Sequence, residues 1–353
     1  MAVNALPSLL FGMAAGVFVD RLDKRKIMIA ADLLRGISTA LIAFLFITGS
    51  LKVYYLYIFT FFNSFCEIFA YPARASAMQV LVNKEHYLSA NSLKEASTSA
   101  AQIVGTGFAA YVLGFWSIGA AVLIDAVTFF ISAFTAAAAK IENTTSAGNS
   151  ALNIKAFLEE LKEGFMIVKG NTVLFISVIL AFVANLALAP FNILVPVYSD
   201  KILLAGAKGY SFIEMSFTIG IILGSVALGQ IGHKFKKSIL ILAGFAALGT
   251  GVALLGFVYG LYIAVTVCTI TGAFIPLINT CTNTLIQETT PKDMMGRVSS
   301  TLGTLCMLGL PLGYAASGFI AEGLNVQATF MVLGALITFT IVPVLFVKEF
   351  FRH

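Results

Sequence analysis

The chain has 353 residues, of which 59% are apolar and 11% are charged, and its formal net charge at pH 7 is +5. Soluble globular domains carry about a quarter charged residues, so this composition excludes a water-soluble surface and predicts a polytopic membrane protein. The positive excess lies in short segments between apolar runs, so it does not indicate nucleic-acid binding. The four cysteines lie inside apolar segments without metal spacing, and we expect no metal and no cofactor.

Eleven apolar runs follow one another along the chain, most of them near the ~20 residues that a membrane-spanning helix needs. Short charged turns, glycine and proline separate them. The runs are too long and continuous for the alternating strands of a β-barrel. We therefore predict an all-α membrane protein with spans at about 4–19, 27–48, 53–79, 88–113, 116–139, 172–200, 210–232, 238–258, 260–286, 298–321 and 326–348.

One connector, about 140–171, is long. It begins with a loose polar stretch and then places apolar residues at helical spacing, with charges on the other face. This pattern predicts an interfacial helix that joins two bundles; a partner-binding helix is the alternative. The predicted organisation is a bundle over 1–140, a cytoplasmic linker over 141–171 and a second bundle over 172–353.

Lysine and arginine are concentrated in alternate connectors. The connectors of the opposite set hold only Lys52, Lys201 and Lys208. Because positive loops stay in the cytoplasm, we expect a plasma-membrane protein whose C-terminus is cytoplasmic. Eleven spans then leave the N-terminus outside.

The two halves of the chain resemble each other. Such parallel repeats are typical of secondary transporters, with the substrate path between the halves. The second half begins with a span at 172–200 before its own hairpin, whereas the first half has no counterpart. A design of twelve spans without the first one is therefore expected. A shift of 208 residues pairs Gln79 with Gln287, Ser92 with Ser300 and Gly105 with Gly313, and a shift of 213 pairs Gly16 with Gly229.

The hairpin at 16–26, GVFVDRLDKRK, resembles the cytoplasmic signature of the major facilitator superfamily. That signature runs Gly, three residues, Asp-Arg, one residue, Gly and then basic residues; Asp23 stands where its second glycine is usual. The runs at 71–93 and 290–300 are similar to the branch of macrolide-efflux-type and siderophore exporters. The matching residues are Gly16, Asp20, Arg21, Lys24 and Arg25.

The resemblance implies two pseudo-symmetric bundles that export a small drug-like or siderophore-like compound by alternating access, driven by protons. It implies a monomer in the lipid bilayer rather than an enzyme, and no catalytic motif is found in the sequence. It also implies that Asp20 joins a cytoplasmic gating network with Arg74. Thr106 stands where antiporters usually have a proline in the fifth span, which favours the alternatives: a uniporter or lipid-type flippase on the same fold. An inactive truncated remnant is a further alternative.

Ionisable residues inside the spans are candidates for proton or substrate sites, because charge is costly in the bilayer. Asp32 and Arg35 are spaced i,i+3 and can pair on one helix face. Glu67 and Asp125 lie deeper and have no close cation in sequence, so we expect them to be isolated carboxylates able to carry a proton. For Asp32 and Arg35 a structural or gating pair is favoured over a substrate contact, and for Glu67 and Asp125 the alternative is a hydrogen-bonded structural carboxylate.

A third group of candidates consists of polar amides in the spans. They can line a cavity or join helices by hydrogen bonds. The candidates are Asn63, Asn185, Asn192, Asn279 and Asn283.

Overall fold

A computed structural model describes residues 2–115, 117–139, 154–315 and 325–352, and these residues are helical except for short turns. The prediction of an all-α protein is therefore confirmed. The polar stretch at 142–150, Lys140 and the end of the predicted span 298–321 lie outside the described residues. The α-helices are α1 (Ala2–Arg21), α2 (Lys24–Ile47), α3 (Val53–Leu81), α4 (Tyr87–Phe115), α5 (Ile118–Ala138), α6 (Ile154–Gly170), α7 (Thr172–Lys201), α8 (Gly206–Ile231), α9 (Lys237–Leu255), α10 (Leu261–Thr289), α11 (Met295–Met307), α12 (Val326–Phe339) and α13 (Ile341–Leu345).

Nine of the described helical segments are long and apolar enough to cross a membrane. They coincide with nine of the eleven predicted spans. One of them continues α11 to Ala315, and another joins α12 and α13. The other two predicted spans correspond to α1 and α4, which have 20 and 29 residues. The predicted linker helix is present as α6, with 17 residues.

Side-chain caps fix where several helices begin. Asp23 precedes α2 and accepts hydrogen bonds from the backbone N–H groups of Arg25 (3.0 Å) and Lys26 (3.2 Å). Ser117, Asn171 and Asn325 cap α5, α7 and α12 in the same way. These short polar residues satisfy N–H groups that have no partner in the first turn, so the interruptions between apolar runs are also starting points of helices.

The described residues form two compact units. The first consists of Met1–Lys84, Gly105–Gly170 and Thr289–Thr304, and the second of Glu85–Val104, Asn171–Glu288 and Leu305–His353. In the first unit α2 packs against α3 and α5, and α1 packs against α3. In the second, α12 packs against α9 and α7 around a buried apolar cluster that includes Ile241 and Phe245. The proposed division into bundles at 140 and 172 stays a prediction.

Candidate functional site

Four charged side chains from α2 and α3 form one network in the first unit. Arg74 donates to Glu67 (Nη1 to Oε1, 2.9 Å) and to Asp32 (Nη2 to Oδ1, 3.1 Å). Arg35 donates to the other oxygen of Glu67 and lies 4.0 Å from Asp32. Each guanidinium therefore faces both carboxylates. Helix geometry makes this possible, because residues three or seven apart lie on one face of a helix.

Two residues of α5 complete the network. Ser132 donates from Oγ to Oδ2 of Asp32 (2.6 Å). Phe129 lies under the Arg35 guanidinium, 4.4 Å from its ring centroid, in a cation–π contact. The Asp32 side chain is 3% exposed, whereas those of Glu67 and Arg74 are each 39% exposed. The network therefore has a buried end at Asp32 and an accessible end at Glu67.

The expectation that Glu67 is an isolated carboxylate is wrong. Its main partner, Arg35, comes from the neighbouring helix, and Arg74 reaches it from two turns along α3. Asp125 is exposed on α5, and none of the described cations lies within ion-pairing distance of it; Arg35 is the cation whose charge reaches it. The i,i+3 pair of Asp32 and Arg35 is present, but Arg35 makes its short contact with Glu67.

A second polar site, also in the first unit, joins the end of α1 to the start of α11. The fully buried Asp20 accepts hydrogen bonds from the backbone N–H groups of Gly296 (2.7 Å) and Arg297 (2.9 Å). These N–H groups belong to the first turn of α11, which has no acceptor of its own there. Asp20 therefore caps another helix, and its negative charge faces the positive end of the α11 dipole.

Side chains around Asp20 extend this contact. The Nε of Arg297 lies 3.3 Å from Oδ2 of Asp20, and its Nη1 donates to Glu163 of α6 at 2.6 Å. The buried Gln79 donates from Nε2 to the carbonyl of Thr290 (2.7 Å), just before α11. The start of α11 is thus held by α1, α3 and the linker helix together.

Glycines allow α1 and α11 to approach. A Cβ at Gly16 would clash with the Ser300 hydroxyl and the Gly296 backbone, and one at Gly296 would clash with the Asp20 carboxylate. Gly12, one turn before Gly16, faces Thr304 in the same way. Gly16 of the signature is therefore required for the close approach that brings Asp20 to the helix end.

The expected pairing of Asp20 with Arg74 is wrong. Asp20 receives its hydrogen bonds from Gly296 and Arg297, whereas Arg74 is held by Glu67 and Asp32. Asp20 and Arg74 therefore belong to separate networks.

The basic residues of the hairpin have different surroundings. Lys24 is buried near Asp20, Asp23 and Asp293. Arg25 is half-buried and donates through Nη2 to the carbonyl of Ala137, at the end of α5. Arg21 is half-buried. Part of this basic cluster therefore contacts helix ends.

The predicted amides do not form one group. Asn63 is half-buried one turn before Glu67, and its Oδ1 has no hydrogen-bond partner among the described residues. Asn185 donates to the carbonyl of Cys306 (3.0 Å), and Asn279 donates to Glu95 (3.0 Å), so both join helices. Asn283 is half-buried, and Asn192 lines a cavity of about 130 Å³.

Several residues of these sites escaped the sequence analysis. Arg297 lies in one of the basic connectors and Glu163 on the charged side of the linker helix, and neither position in the sequence marks it as a site residue. Ser132 gave no signal. Glu214, which lines the same cavity as Asn192, is the one that could have been found, because it is a carboxylate inside an apolar run.

Comparison with known proteins finds efflux transporters that are similar over most of the chain. Macrolide efflux protein A of Streptococcus pyogenes is 28% identical over 335 residues, which cover 94% of this chain and 82% of that protein. The multidrug efflux pump Tap of Mycolicibacterium fortuitum is 25% identical over 337 residues, covering 94% and 81%.

Solved structures share the fold at low sequence identity. The human organic anion transporter MFSD10 (TETRAN) matches with a TM-score of 0.81 at 13% identity, covering 97% of this chain and 81% of that one. The Escherichia coli fucose:proton symporter FucP matches with a TM-score of 0.73 at 13% identity, covering 97% and 88%. The family model described as Major Facilitator Superfamily matches residues 1–314. The chain therefore belongs to the major facilitator superfamily of membrane transporters.

Proposed function

We propose that this transporter exports a small amphipathic compound, drug-like or siderophore-like, in exchange for protons. The names of the relatives, a macrolide efflux protein and a multidrug efflux pump, support the direction of transport and the kind of compound. The observation that carries the proton coupling is the charge balance around Arg35.

Two carboxylates contact two guanidiniums in this region of the first unit, and the charge of Arg35 also reaches a third carboxylate, Asp125. Asp32 and Glu67 are paired with Arg35 and Arg74, and Asp125 is the extra carboxylate near Arg35. Arginine keeps its proton in proteins. One excess negative charge in a membrane-embedded site is costly, and one bound proton removes it. The site is thus suited to bind and release a single proton.

Proton binding can also change the network. A proton on Glu67 weakens one contact of each guanidinium while Asp32 still faces both, so Arg35 or Arg74 can turn part of its charge toward Asp125 or the substrate. Glu67 is half-exposed and hence accessible to a proton, whereas Asp32 is buried and holds the guanidiniums in place. A ligand shifts a conformational equilibrium only through a difference in affinity between the states, and this exchange of partners supplies such a difference.

The Asp20 contact is the proposed gate. Alternating access needs contacts that hold in one conformation and break in another. A buried carboxylate on two backbone N–H groups and one arginine fits this role, because it is strong when closed and its polar groups can be hydrated when open. We further propose a monomer in the plasma membrane with a cytoplasmic C-terminus.

The test is transport in proteoliposomes containing the full chain and an imposed pH gradient, with a radiolabelled macrolide as probe. Glu67→Gln and Asp125→Asn should each lower gradient-driven transport by about tenfold or more, since each removes a proton-binding carboxylate. Glu85→Gln removes an exposed carboxylate of the short turn before α4 and is the matched control.

Unchanged gradient-driven transport in both variants would refute the proposed proton site. Transport by the wild-type protein that ignores the pH gradient would refute proton exchange, and the uniporter or flippase alternative would then be favoured.

A further inference from the structure

A cavity of about 130 Å³ lies inside the second unit, among α7, α8, α9 and α10. Its walls are mostly apolar and include the aromatic rings of Phe191 and Phe217. Its polar lining includes the amide of Asn192, the carboxylate of Glu214 and the hydroxyl of Thr271. The proposed proton site lies in the other unit, so this cavity needs its own explanation.

Glu214 has no partner within the described protein. It is exposed in the protein, and none of the described cations lies within 4.0 Å of its carboxylate, nor does any described donor bond to it. It lies eight residues after the start of α8, or ~12 Å along the helix axis. A carboxylate at this depth in a membrane helix costs free energy unless something compensates it. The protein supplies no compensating charge, which points to a ligand.

The helices that line the cavity pack closely against one another. Gly220 and Gly224 of α8 lie so close to the α10 backbone that a Cβ at either position would clash with the carbonyls of Thr269 or Ala273. Gly251 of α9 contacts Thr271 of α10 as closely. Phe191 packs against Phe330 of α12, with ring centroids 4.9 Å apart. Preformed walls of this kind are typical of ligand sites.

The lining selects the kind of ligand. A metal cation would need several oxygen ligands, whereas most of the side chains that line the cavity are apolar. An organic ammonium group suits the site better, because it is attracted both by a carboxylate and by the faces of aromatic rings. A volume of about 130 Å³ accommodates such a head group but not a whole drug-like molecule.

We infer that this cavity binds the ammonium head group of a cationic amphiphile, with Glu214 as counter-ion and Phe191 and Phe217 as apolar walls. The inference rests on the proposed function only in taking this ligand to be the exported compound. It predicts that the compound carries a positive charge on a narrow, flexible arm.

Direct binding to the purified full chain in detergent tests the inference without requiring transport. The probes are monodansylcadaverine, whose alkyl arm ends in an ammonium group, and its N-acetyl derivative, which is neutral and otherwise the same. The wild-type protein should bind the cationic probe about tenfold more tightly, by analogy with desolvated ion pairs and cation–π contacts. Fluorescence titration of the dansyl group gives both affinities.

Three variants test whether Glu214 causes the preference for the cationic probe. Glu214→Gln should abolish this preference, and Glu214→Asp should retain part of it. Asp200→Asn should retain it in full, because Asp200 is an exposed carboxylate at the end of α7 and is not among the cavity-lining residues. Thermal unfolding of each variant shows whether the fold is intact; Glu214→Asp also tests the site if Glu214→Gln does not fold.

Charge preference that survives in Glu214→Gln would overturn the inference, and so would wild-type protein that binds both probes equally or neither. Binding that depends on Glu214, in a protein that shows no gradient-driven export, would support the inference and refute the proposed function. If Glu214→Gln keeps both the export and the charge preference, the result would support the proposed function and refute the inference.

Discussion

Two repeat-related glycines, Gly16 and Gly229, lie in contacts that are built differently. Gly16 of α1 packs against Ser300 of α11 in the first unit, and Gly229 of α8 packs against Ser92 of α4 in the second. The sequence repeat pairs both residues of these contacts, Gly16 with Gly229 and Ser92 with Ser300. The same small residues thus recur at equivalent helix crossings.

The difference lies in what surrounds the glycines. The contact of α1 with α11 has a buried carboxylate, Asp20, on a helix N-terminus. Next to Ser92, which contacts α8, the neutral Asn91 of α4 joins a third helix by donating to Thr284 (3.1 Å) and Gln287 (2.7 Å) of α10. The approach is also closer at Gly16, where a Cβ would clash with backbone, whereas one at Gly229 would lie 3.3 Å from the Ser92 Cβ.

One contact therefore depends on a single charge and a close approach, and the other on packing and shared amides. A buried charge is costly to leave without its partners, so the α1–α11 contact should respond sharply to mutation. The neutral contact should lose stability in small steps. Four predictions test this contrast, from the largest expected effect to the smallest.

Asp20→Asn should weaken the α1–α11 contact most. The change removes the negative charge from two backbone N–H groups and Arg297, a loss of about 3 kcal/mol, or roughly 100-fold faster local exchange. Hydrogen–deuterium exchange of the peptide containing Gly296 and Arg297 measures it. Asp200→Asn is the control, and equal protection in Asp20→Asn and wild type would contradict the assigned cap.

Gly16→Ala and Gly229→Ala compare the same substitution at the two repeat-related positions. Gly16→Ala should destabilise by about 1–3 kcal/mol, because the new methyl group meets backbone that cannot move freely. Gly229→Ala should cost less than about 1 kcal/mol, since a small shift of Ser92 makes room. Thermal unfolding in detergent ranks the pair, and the reverse order would refute the difference in helix approach.

Asn91→Ala should cost about 1–2 kcal/mol by removing the donor to the buried Gln287 and Thr284 side chains. The effect should appear in thermal unfolding and leave exchange at Gly296 unchanged. Faster exchange at Gly296 in this variant would show that the two contacts are not independent.

Glu163→Gln should have the smallest effect, less than about 1 kcal/mol, because Glu163 is half-exposed and its ion pair with Arg297 is screened by solvent. The same exchange measurement as for Asp20→Asn applies. An effect as large as that of Asp20→Asn would mean that the linker helix, rather than α1, holds the start of α11.

The fold was predictable from the sequence because runs of apolar residues of membrane length leave few alternatives. The superfamily was predictable from the hairpin, and both predictions are confirmed. The spacing of the small residues Gly12 and Gly16 favours a close helix contact of α1. The spacing does not indicate which helix is the partner.

The partners of the charged residues could not be predicted. Glu67 looked isolated because one partner, Arg35, is 32 residues away in the chain and the other, Arg74, is two turns along the same helix. Asp20 was expected to join Arg74, but its oxygens accept from backbone N–H groups 276 and 277 residues away, and the arginine beside it is Arg297. Backbone N–H groups are common to nearly all residues. A sequence therefore does not show which helix N-terminus will serve as the positive partner of a carboxylate.

The cap at Asp23 has a consequence for how the hairpin tolerates change. Asp23 occupies the place of the usual second glycine at an ordinary φ of −64°, so this position demands no glycine here and instead rewards a side chain that accepts hydrogen bonds. Gly16, in contrast, is constrained by space, and Asp20 by charge and direction. The three positions of the signature thus have separate requirements. Natural sequence variation should be wider at Asp23 than at Gly16 and Asp20.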